Sequence, residues 1–267
     1  MTIMSGLLHR ILAHPLTRGM DVDDPRTTAL RREIIQNKAF LNQIYCEWYA
    51  RLAVSMQHDS RFLELGSAAG FFRTFAPKLI TSELFSTPGV DRIVDARHLP
   101  FGNDELDGIV MTDVLHHITD VARFFHEATR CIKAGGQVLM IEPWNTPWSK
   151  WVYQRLHSEP FQPDGGWTIP NTGPLSGANG ALPWILFERD RERFQEQFPE
   201  WRIESIELLM PFSYLLSGGV SLRAFVPGWA YRPIRWLENT VNQKKWAMFA
   251  LIKLKKCEHS RFSTPMA

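Results

Sequence analysis

Two stretches with apolar residues at helical spacing open the chain. The first, over residues 3–12, has an apolar face opposite the basic side chain of Arg10. A stronger pattern runs from Leu30 to Leu52, with a bend expected near Asn37. We therefore predict a helical segment over residues 1–58.

Short apolar runs then alternate with helical patterns. The runs predict strands at residues 61–65, 79–84, 92–96, 106–115 and 137–144, followed by 201–210 and 244–256. Helices are predicted at residues 71–79, 118–136 and 184–198, and Gly135 and Gly136 are the expected stop of the second. Because the central strands are almost continuously apolar, the pattern favours a mostly parallel sheet with helices on both faces, an α/β fold.

Two segments fall outside this alternation. Residues 144–185 are rich in Trp, Pro, Gly and Asn and form a connection longer than usual, so we expect a substrate loop or lid, or short helices within it. Residues 211–242 form an apolar insert. The predicted organisation is the helical segment followed by a sheet domain, residues 59–267, that carries both additions.

Composition narrows the classes of protein. The 267 residues carry a net charge of +2, and we find no clustered basic stretch of the kind that nucleic acids require. The three cysteines are far apart in sequence and predict a reduced, cytoplasmic protein. No stretch approaches the roughly 20 apolar residues of a membrane span.

A glycine-containing turn carries the sharpest chemical signal. The sequence ELGSAAG follows the first predicted strand and precedes a predicted helix, and it contributes Glu64, Gly66, Ser67, Ala68 and Gly70. Glycine allows such a turn to approach a ligand closely. An acid at the end of the next strand accepts hydrogen bonds from ribose hydroxyls in nucleotide sites. Glu83 occupies that position, and Asp95 with Ala96 follows the third strand.

Together, the segments RFLELGSAAG, VDARHLPF, LDGIVMTDVLHHI and IKAGGQVLMIEP resemble class I methyltransferases dependent on S-adenosylmethionine (SAM). The similarity is to the broad group that includes ubiquinone-biosynthesis-type (methyltransferase type 11-like) enzymes, and it covers about residues 60 to 143. It implies a Rossmann-like, seven-stranded sheet whose last strand is antiparallel, and SAM as the methyl donor.

The resemblance also implies roles for particular residues. Carried over position by position, it assigns the first motif to Glu64, Gly66 and Gly70, the ribose to Glu83, the adenine side to Asp95 and Ala96, and the methionine end to Asp113. Ala68 stands where the family usually has glycine, which narrows the cofactor channel. Two alternatives stay open: a SAM-binding protein without catalysis, and an NAD(P)-dependent oxidoreductase, for which the spacing G-x-A-x-G departs from the usual G-x-G-x-x-G.

Catalytic candidates follow the fourth and fifth strands. His116 and His117 are candidates for a general base, which predicts a rate that falls as pH drops through about 6.5. The alternative is that they pack and shape the cofactor loop. Glu142 is expected either to orient a substrate or to cap a turn. Trp144 and Trp148 are predicted to contact the substrate.

The conceivable ligands of a metal ion are Asp113, His116 and Glu142. Adjacent histidines do not easily share a face, and no other ligand spacing accompanies them. The sequence therefore predicts no metal.

The acceptor is expected to be a small molecule that is apolar or linked to a lipid or glycan. The aromatic residues of the lid and insert suit both an apolar pocket and a membrane interface. The apolar face near the N-terminus, with Arg10 opposite, is typical of interfacial helices. Two hypotheses follow: peripheral contact with a membrane, or a lid that closes over a soluble molecule.

Overall fold

The computed structural model describes residues 14–16, 23, 26–56, 60–67, 70–157, 159–170, 173 and 177–258, without the side chains of residues 27 and 29. The helix predicted at residues 3–12 and Ala68 of the first motif lie outside the described residues.

Seven strands form one sheet. They are β1 (Phe62–Leu65), β2 (Ile80–Glu83), β3 (Arg92–Ile93), β4 (Leu106–Thr112), β5 (Ile132–Pro143), β6 (Trp201–Leu209) and β7 (Phe249–Lys256). Their order is β3-β2-β1-β4-β5-β7-β6. Strands β1 to β5 pair in parallel, whereas β7 runs antiparallel to β5 and to β6. This confirms the predicted seven-stranded, mostly parallel sheet with a reversed last strand.

The sheet is covered on both faces at its centre. The last six residues of β5, from Val138 to Pro143, are all buried, although successive side chains of a strand point to opposite faces. One cover is α3 (Val121–Cys131), whose N-cap Asp120 accepts the backbone N–H of Arg123.

The predicted N-terminal helices form a further cover, and the expected bend is confirmed. Helix α1 (Arg26–Asn37) is followed by α2 (Ala39–Ser55), and the break between them falls at Lys38. Helix α2 packs Trp48 against Phe249 at the start of β7, with ring centroids 4.9 Å apart. The N-terminal segment therefore contributes to the core of the sheet domain.

Two predicted helices have different bounds. Residues 71–79 form only a 3-10 turn at Phe72–Thr74, because the short connection from β1 to β2 includes Pro77 and leaves little room for a helix. Helix α3 ends at Cys131 instead of at Gly135, and β5 begins at the next residue. Gly135 lies inside β5 with φ 75°, where the pairing with β4 shifts register, so it belongs to a bulge.

Two further elements also differ from the prediction. The expected helix at residues 184–198 is divided into α5 (Leu182–Trp184), a π-turn (Ile185–Arg189) and α6 (Arg191–Gln197). Asp190 interrupts it with φ −109° and ψ 31°. The last strand starts at Phe249 instead of residue 244, because Asn242 caps the short helix α9 (Gln243–Trp246) ahead of it.

The lid and the insert both contain short helices. The lid contains α4 (Pro147–Leu156), which begins with a capping box between Thr146 and Ser149. The insert contains α7 (Ser213–Ser217) and α8 (Tyr231–Glu238). Among the described helices, none combines the length and apolar composition needed to cross a bilayer.

Candidate functional site

A cavity of about 360 Å³ opens at the carboxyl ends of β1 to β4. This is where open α/β sheets bind ligands, and the volume falls within the usual range for small-molecule sites. We call one group of its lining residues the glycine wall: Gly66, Glu83, Asp95 and Ala96. We call a second group the histidine wall: Arg31, Tyr45, Asp113, His117 and Glu159.

Gly66 begins the turn after β1 and has no room for a side chain. Its φ is 69°, and a Cβ atom there would lie 2.5 Å from Cγ2 of Val114. Gly70 also has a positive φ, 61°, and its carbonyl oxygen accepts a hydrogen bond of 2.7 Å from Arg32. The turn therefore needs glycine at both positions, as the motif predicts.

Glu64 and Ser67 support this turn from beneath. Ser67 Oγ donates to Glu64 Oε2 at 2.7 Å and accepts the backbone N–H of Ser82 at 3.1 Å. Burial raises the pKa of Glu64 to about 7, and the nearby charge of Glu83 acts in the same direction.

The acids predicted for the ribose and the adenine side both reach the cavity. Glu83 lies at the end of β2, where Oε2 accepts the backbone N–H of Leu84 at 3.0 Å. Asp95 forms an ion pair with Arg97 at 2.8 Å, and these hydrogen bonds hold the pKa of Asp95 below its usual value. The structure thus brings Gly66, Glu83 and Asp95 together, although they are far apart in sequence.

Asp113 lines the cavity as part of the histidine wall. It follows β4 with φ 62°, a conformation that is rare outside glycine and is often found at functional sites. Burial raises the pKa of Asp113 to about 7, and the carboxyl groups of Glu159 and Glu142 add to the increase. Asp113 lines the cavity, and its predicted place near the methionine end of SAM stays a prediction.

Glu142 holds the turn that carries the two histidines. Its Oε1 accepts the backbone N–H groups of Val114 and Leu115 at 2.8 and 2.7 Å, and its Oε2 lies 2.7 Å from Nδ1 of His116. The side chain is fully buried and is not part of the cavity lining. Of the two expected roles, its position matches that of a residue capping a turn.

The two histidines have opposite electrostatic environments. Burial alone would lower the pKa of His116, but its interactions with Glu142 and Glu159 raise it well above 6.5. Burial and the charge of His116 together lower the pKa of His117 to about 3. A general-base role for either histidine, with the pH–rate dependence that it implies, stays a prediction.

The two tryptophans predicted to contact substrate lie away from the cavity lining. Trp144 is buried, and its backbone N–H bonds to Met248 O at 2.8 Å. Trp148 donates its indole N–H to Pro211 O at 2.9 Å and stacks on Trp151. Direct contact of either residue with a substrate stays a prediction.

Three members of the histidine wall were not predicted as site residues from the sequence. Arg31 and Tyr45 come from the N-terminal helices, and Glu159 comes from the lid. None of them belongs to a recognisable motif, because each reaches the cavity only through the packing of its element on the sheet.

Comparison with known proteins gives one family match. Residues 76–140 match the family model described as a methyltransferase domain. This region begins after the glycine turn, so the assignment of Gly66 and Gly70 depends on their place in the fold. No curated relative matches the chain.

Several solved structures are similar to this chain at low sequence identity. A SAM-dependent methyltransferase from Mesorhizobium loti is 17% identical, with 77% of this chain and 96% of that chain covered and a TM-score of 0.45. Geranyl diphosphate C-methyltransferase from Streptomyces coelicolor is 12% identical, with 85% and 83% covered and a TM-score of 0.48. A SAM-dependent methyltransferase from Thermotoga maritima is 15% identical, with 84% and 99% covered and a TM-score of 0.47.

The identification rests on the strand order and on the family match. The sheet has the predicted seven strands, and its last strand, β7, lies antiparallel between β5 and β6. The family match covers β2 to β4, α3 and most of β5. Together these findings identify residues 76–140 as a methyltransferase domain within a seven-stranded sheet whose last strand is reversed.

Proposed function

We propose that SAM lies along the glycine wall and that the acceptor lies against the histidine wall of the same cavity. The observation that carries this proposal is the convergence of Gly66, Glu83, Asp95 and Asp113 on one cavity. Glu83 binds the ribose hydroxyls, Asp95 and Ala96 face the adenine, and Asp113 faces the methionine end. Glu64 and Ser67 support the turn from below.

Methyl transfer then requires alignment more than bond activation. The acceptor's nucleophilic atom forms a bond to the methyl carbon as the carbon–sulfur bond breaks, and the electron pair stays on sulfur as S-adenosylhomocysteine. Any proton that the acceptor loses passes to a basic group or to water. Because the sulfonium is a good leaving group, the chain's main contribution is to hold the two reactants in line and exclude water.

The acceptor we propose is a small molecule that is apolar or is linked to a lipid or glycan. Apolar side chains dominate the cavity between the two walls: Ile35, Tyr49, Leu84, Phe85, Ile118 and Val220. Ligand sites with such linings favour apolar groups, and a few polar groups fix their orientation. Arg31 and Glu159 are available for that second purpose.

The insert supports delivery of this acceptor from a membrane surface. Trp229 and Trp236 are 80% and 68% exposed, and the intervening Arg232 is exposed as well. Arg232 and Trp236 are four residues apart on one face of α8, and Trp229 lies in the 3-10 turn Gly228–Ala230 just before it. Lys244 and Lys245 in α9 add exposed positive charge nearby in sequence. Tryptophan with basic residues suits the interface of an anionic bilayer.

Calorimetric titration of SAM tests the cofactor part of the proposal. We expect Glu83→Ala to lose about 1.5–3 kcal/mol for each hydrogen bond to the ribose, a decrease in affinity of roughly 10- to 100-fold. Glu196→Ala, which removes an exposed acid on α6, is the control and should bind normally. Unchanged affinity in the Glu83 variant would refute this placement of SAM.

Co-sedimentation with phosphatidylglycerol vesicles tests the membrane part. The full chain should sediment, and the double variant Trp229→Ala/Trp236→Ala should bind several-fold more weakly. Val54→Ser, which changes a side chain that is 87% exposed on α2, serves as the control. If the unmodified chain stays in the supernatant, the acceptor is a soluble molecule enclosed by the lid.

A further inference from the structure

Three carboxyl groups converge on the imidazole of His116. Glu142 Oε2 lies 2.7 Å from Nδ1, while Glu159 Oε2 and Asp113 Oδ1 lie 3.5 and 4.0 Å from Nε2. The imidazole is completely buried. One imidazole carries at most a single positive charge, so this cluster has an excess of negative charge that methyl transfer does not require.

Two nitrogen atoms of the cluster lack a hydrogen-bond partner. Among the described residues, Nε2 of His116 and Nδ1 of His117 are buried polar atoms without one. The contact of His116 Nε2 with Glu159 is close enough for an ion pair but does not have hydrogen-bond geometry. Leaving buried polar atoms unsatisfied is unfavourable, so each such atom in a native structure needs an explanation.

These atoms are arranged as metal ligands. We propose that His116, His117 and Glu159 bind a divalent transition-metal ion at the wall of the cavity. Their ligand atoms all lie within 4.8 Å of one another. Zinc ligands at about 2.0–2.2 Å from a tetrahedral ion lie roughly 3.3–3.6 Å apart, and the separation of His116 Nε2 from Glu159 is already 3.5 Å. Two histidines and one carboxylate suit zinc or iron.

The surroundings complete this arrangement. A histidine that binds a metal almost always donates its other ring N–H to a carboxylate or a carbonyl, and Glu142 occupies that position on Nδ1 of His116. The sequence disfavoured a metal because adjacent histidines seldom share a face. The 3-10 turn at Leu115–His117 instead brings their ring centroids within 4.1 Å, and the lid adds Glu159.

The position of the ion points to the acceptor. His117, Glu159 and Asp113 all line the cavity, so an open coordination position would face the acceptor. A metal ion there would bind an oxygen or sulfur atom of the acceptor and favour its deprotonated form. This goes beyond the proposed function, because SAM binding on the glycine wall needs no metal.

Titration of the chelator-treated full chain with Co²⁺, followed by its visible absorption, tests the site. We expect one equivalent to bind with the absorption of an ordered nitrogen and oxygen environment. Calorimetry with Zn²⁺ should give the same stoichiometry. Glu159→Gln and His117→Ala should each weaken binding at least 10-fold. His126→Ala, which removes an exposed histidine of α3, controls for adventitious binding and should leave the affinity unchanged.

SAM affinity, measured on the same variants, separates this proposal from the proposed function. Normal SAM binding with no stoichiometric Co²⁺ binding would overturn the metal site and leave the methyltransferase proposal standing. Equal Co²⁺ affinity in the Glu159 and His117 variants and the unmodified chain would overturn it as well. In that case the cluster is a buried ion network centred on a protonated His116.

Discussion

The two walls of the cavity are built in different ways. The glycine wall uses the ends of consecutive strands, and its buried carboxyl, Glu64, finds a partner three residues away in Ser67. The histidine wall combines the turn after β4 with Glu159 from the lid and with Arg31 and Tyr45 from the N-terminal helices. One wall is therefore formed at the ends of neighbouring parallel strands, and the other also by elements that pack against the sheet.

This difference extends to buried charge. Beneath the glycine wall a single carboxyl group is buried, and its raised pKa keeps it partly neutral near pH 7. Around the histidine wall three carboxyl groups meet one imidazole. The comparison indicates that removing the hydrogen-bond or ion-pair partner of a buried group should lower the stability of the fold little at the glycine wall. The same change should lower it severely at the histidine wall.

The largest effect is expected from Glu142→Ala. This change leaves the backbone N–H groups of Val114 and Leu115 and the ring of His116 without their acceptor in a fully buried place. We expect the free energy of unfolding to fall by about 3–5 kcal/mol in a urea titration. Glu196→Ala should stay within about 0.5 kcal/mol of the unmodified chain. An equally small effect at Glu142 would contradict the contrast between the walls.

A pH dependence is expected from Glu64. Because its folded-state pKa is about 7 against an ordinary value of 4.5, the folded protein keeps a proton that the unfolded chain releases. Stability therefore falls as pH rises from about 4.5 to about 7, by at most about 3 kcal/mol from this group. Glu64→Gln should remove that contribution. Urea titrations of both proteins at pH 5 and pH 8 measure it, and identical pH slopes would show that the carboxyl is not perturbed.

A smaller effect is expected when a side chain is added to the glycine turn. Gly66→Ala should lower the free energy of unfolding by about 1–3 kcal/mol and weaken SAM binding, because the new methyl group meets Val114 at a positive φ. Gly89→Ala is the matched control, since Gly89 has φ 81° but its Cβ would meet only Arg32 at 3.4 Å. SAM binding that is reduced equally in both variants would mean that backbone strain alone, without the contact at Val114, is responsible.

Most of the sheet and the glycine wall could be predicted from the sequence alone. Buried parallel strands are apolar along their whole length, and their carboxyl ends meet at one edge, so a turn such as ELGSAAG and the acids Glu83 and Asp95 are expected near one another. These signals depend only on the local chain and on the rule that parallel strands share an edge. The bend at Lys38 was likewise visible in the pattern of apolar residues.

Tertiary structure decided the remaining features. The helix expected at residues 71–79 is limited by the length of the connection, and Asp190 ends a helix whose apolar pattern continues past it. The histidine wall depends on how α1, α2 and the lid pack against the sheet. Glu142 caps the turn after β4, one of its two expected roles, and Glu159 reaches His116, because burial pairs charged groups with partners that are distant in sequence. The sequence alone shows that each of these charged groups is present. It does not show which of them will be in contact in the folded chain.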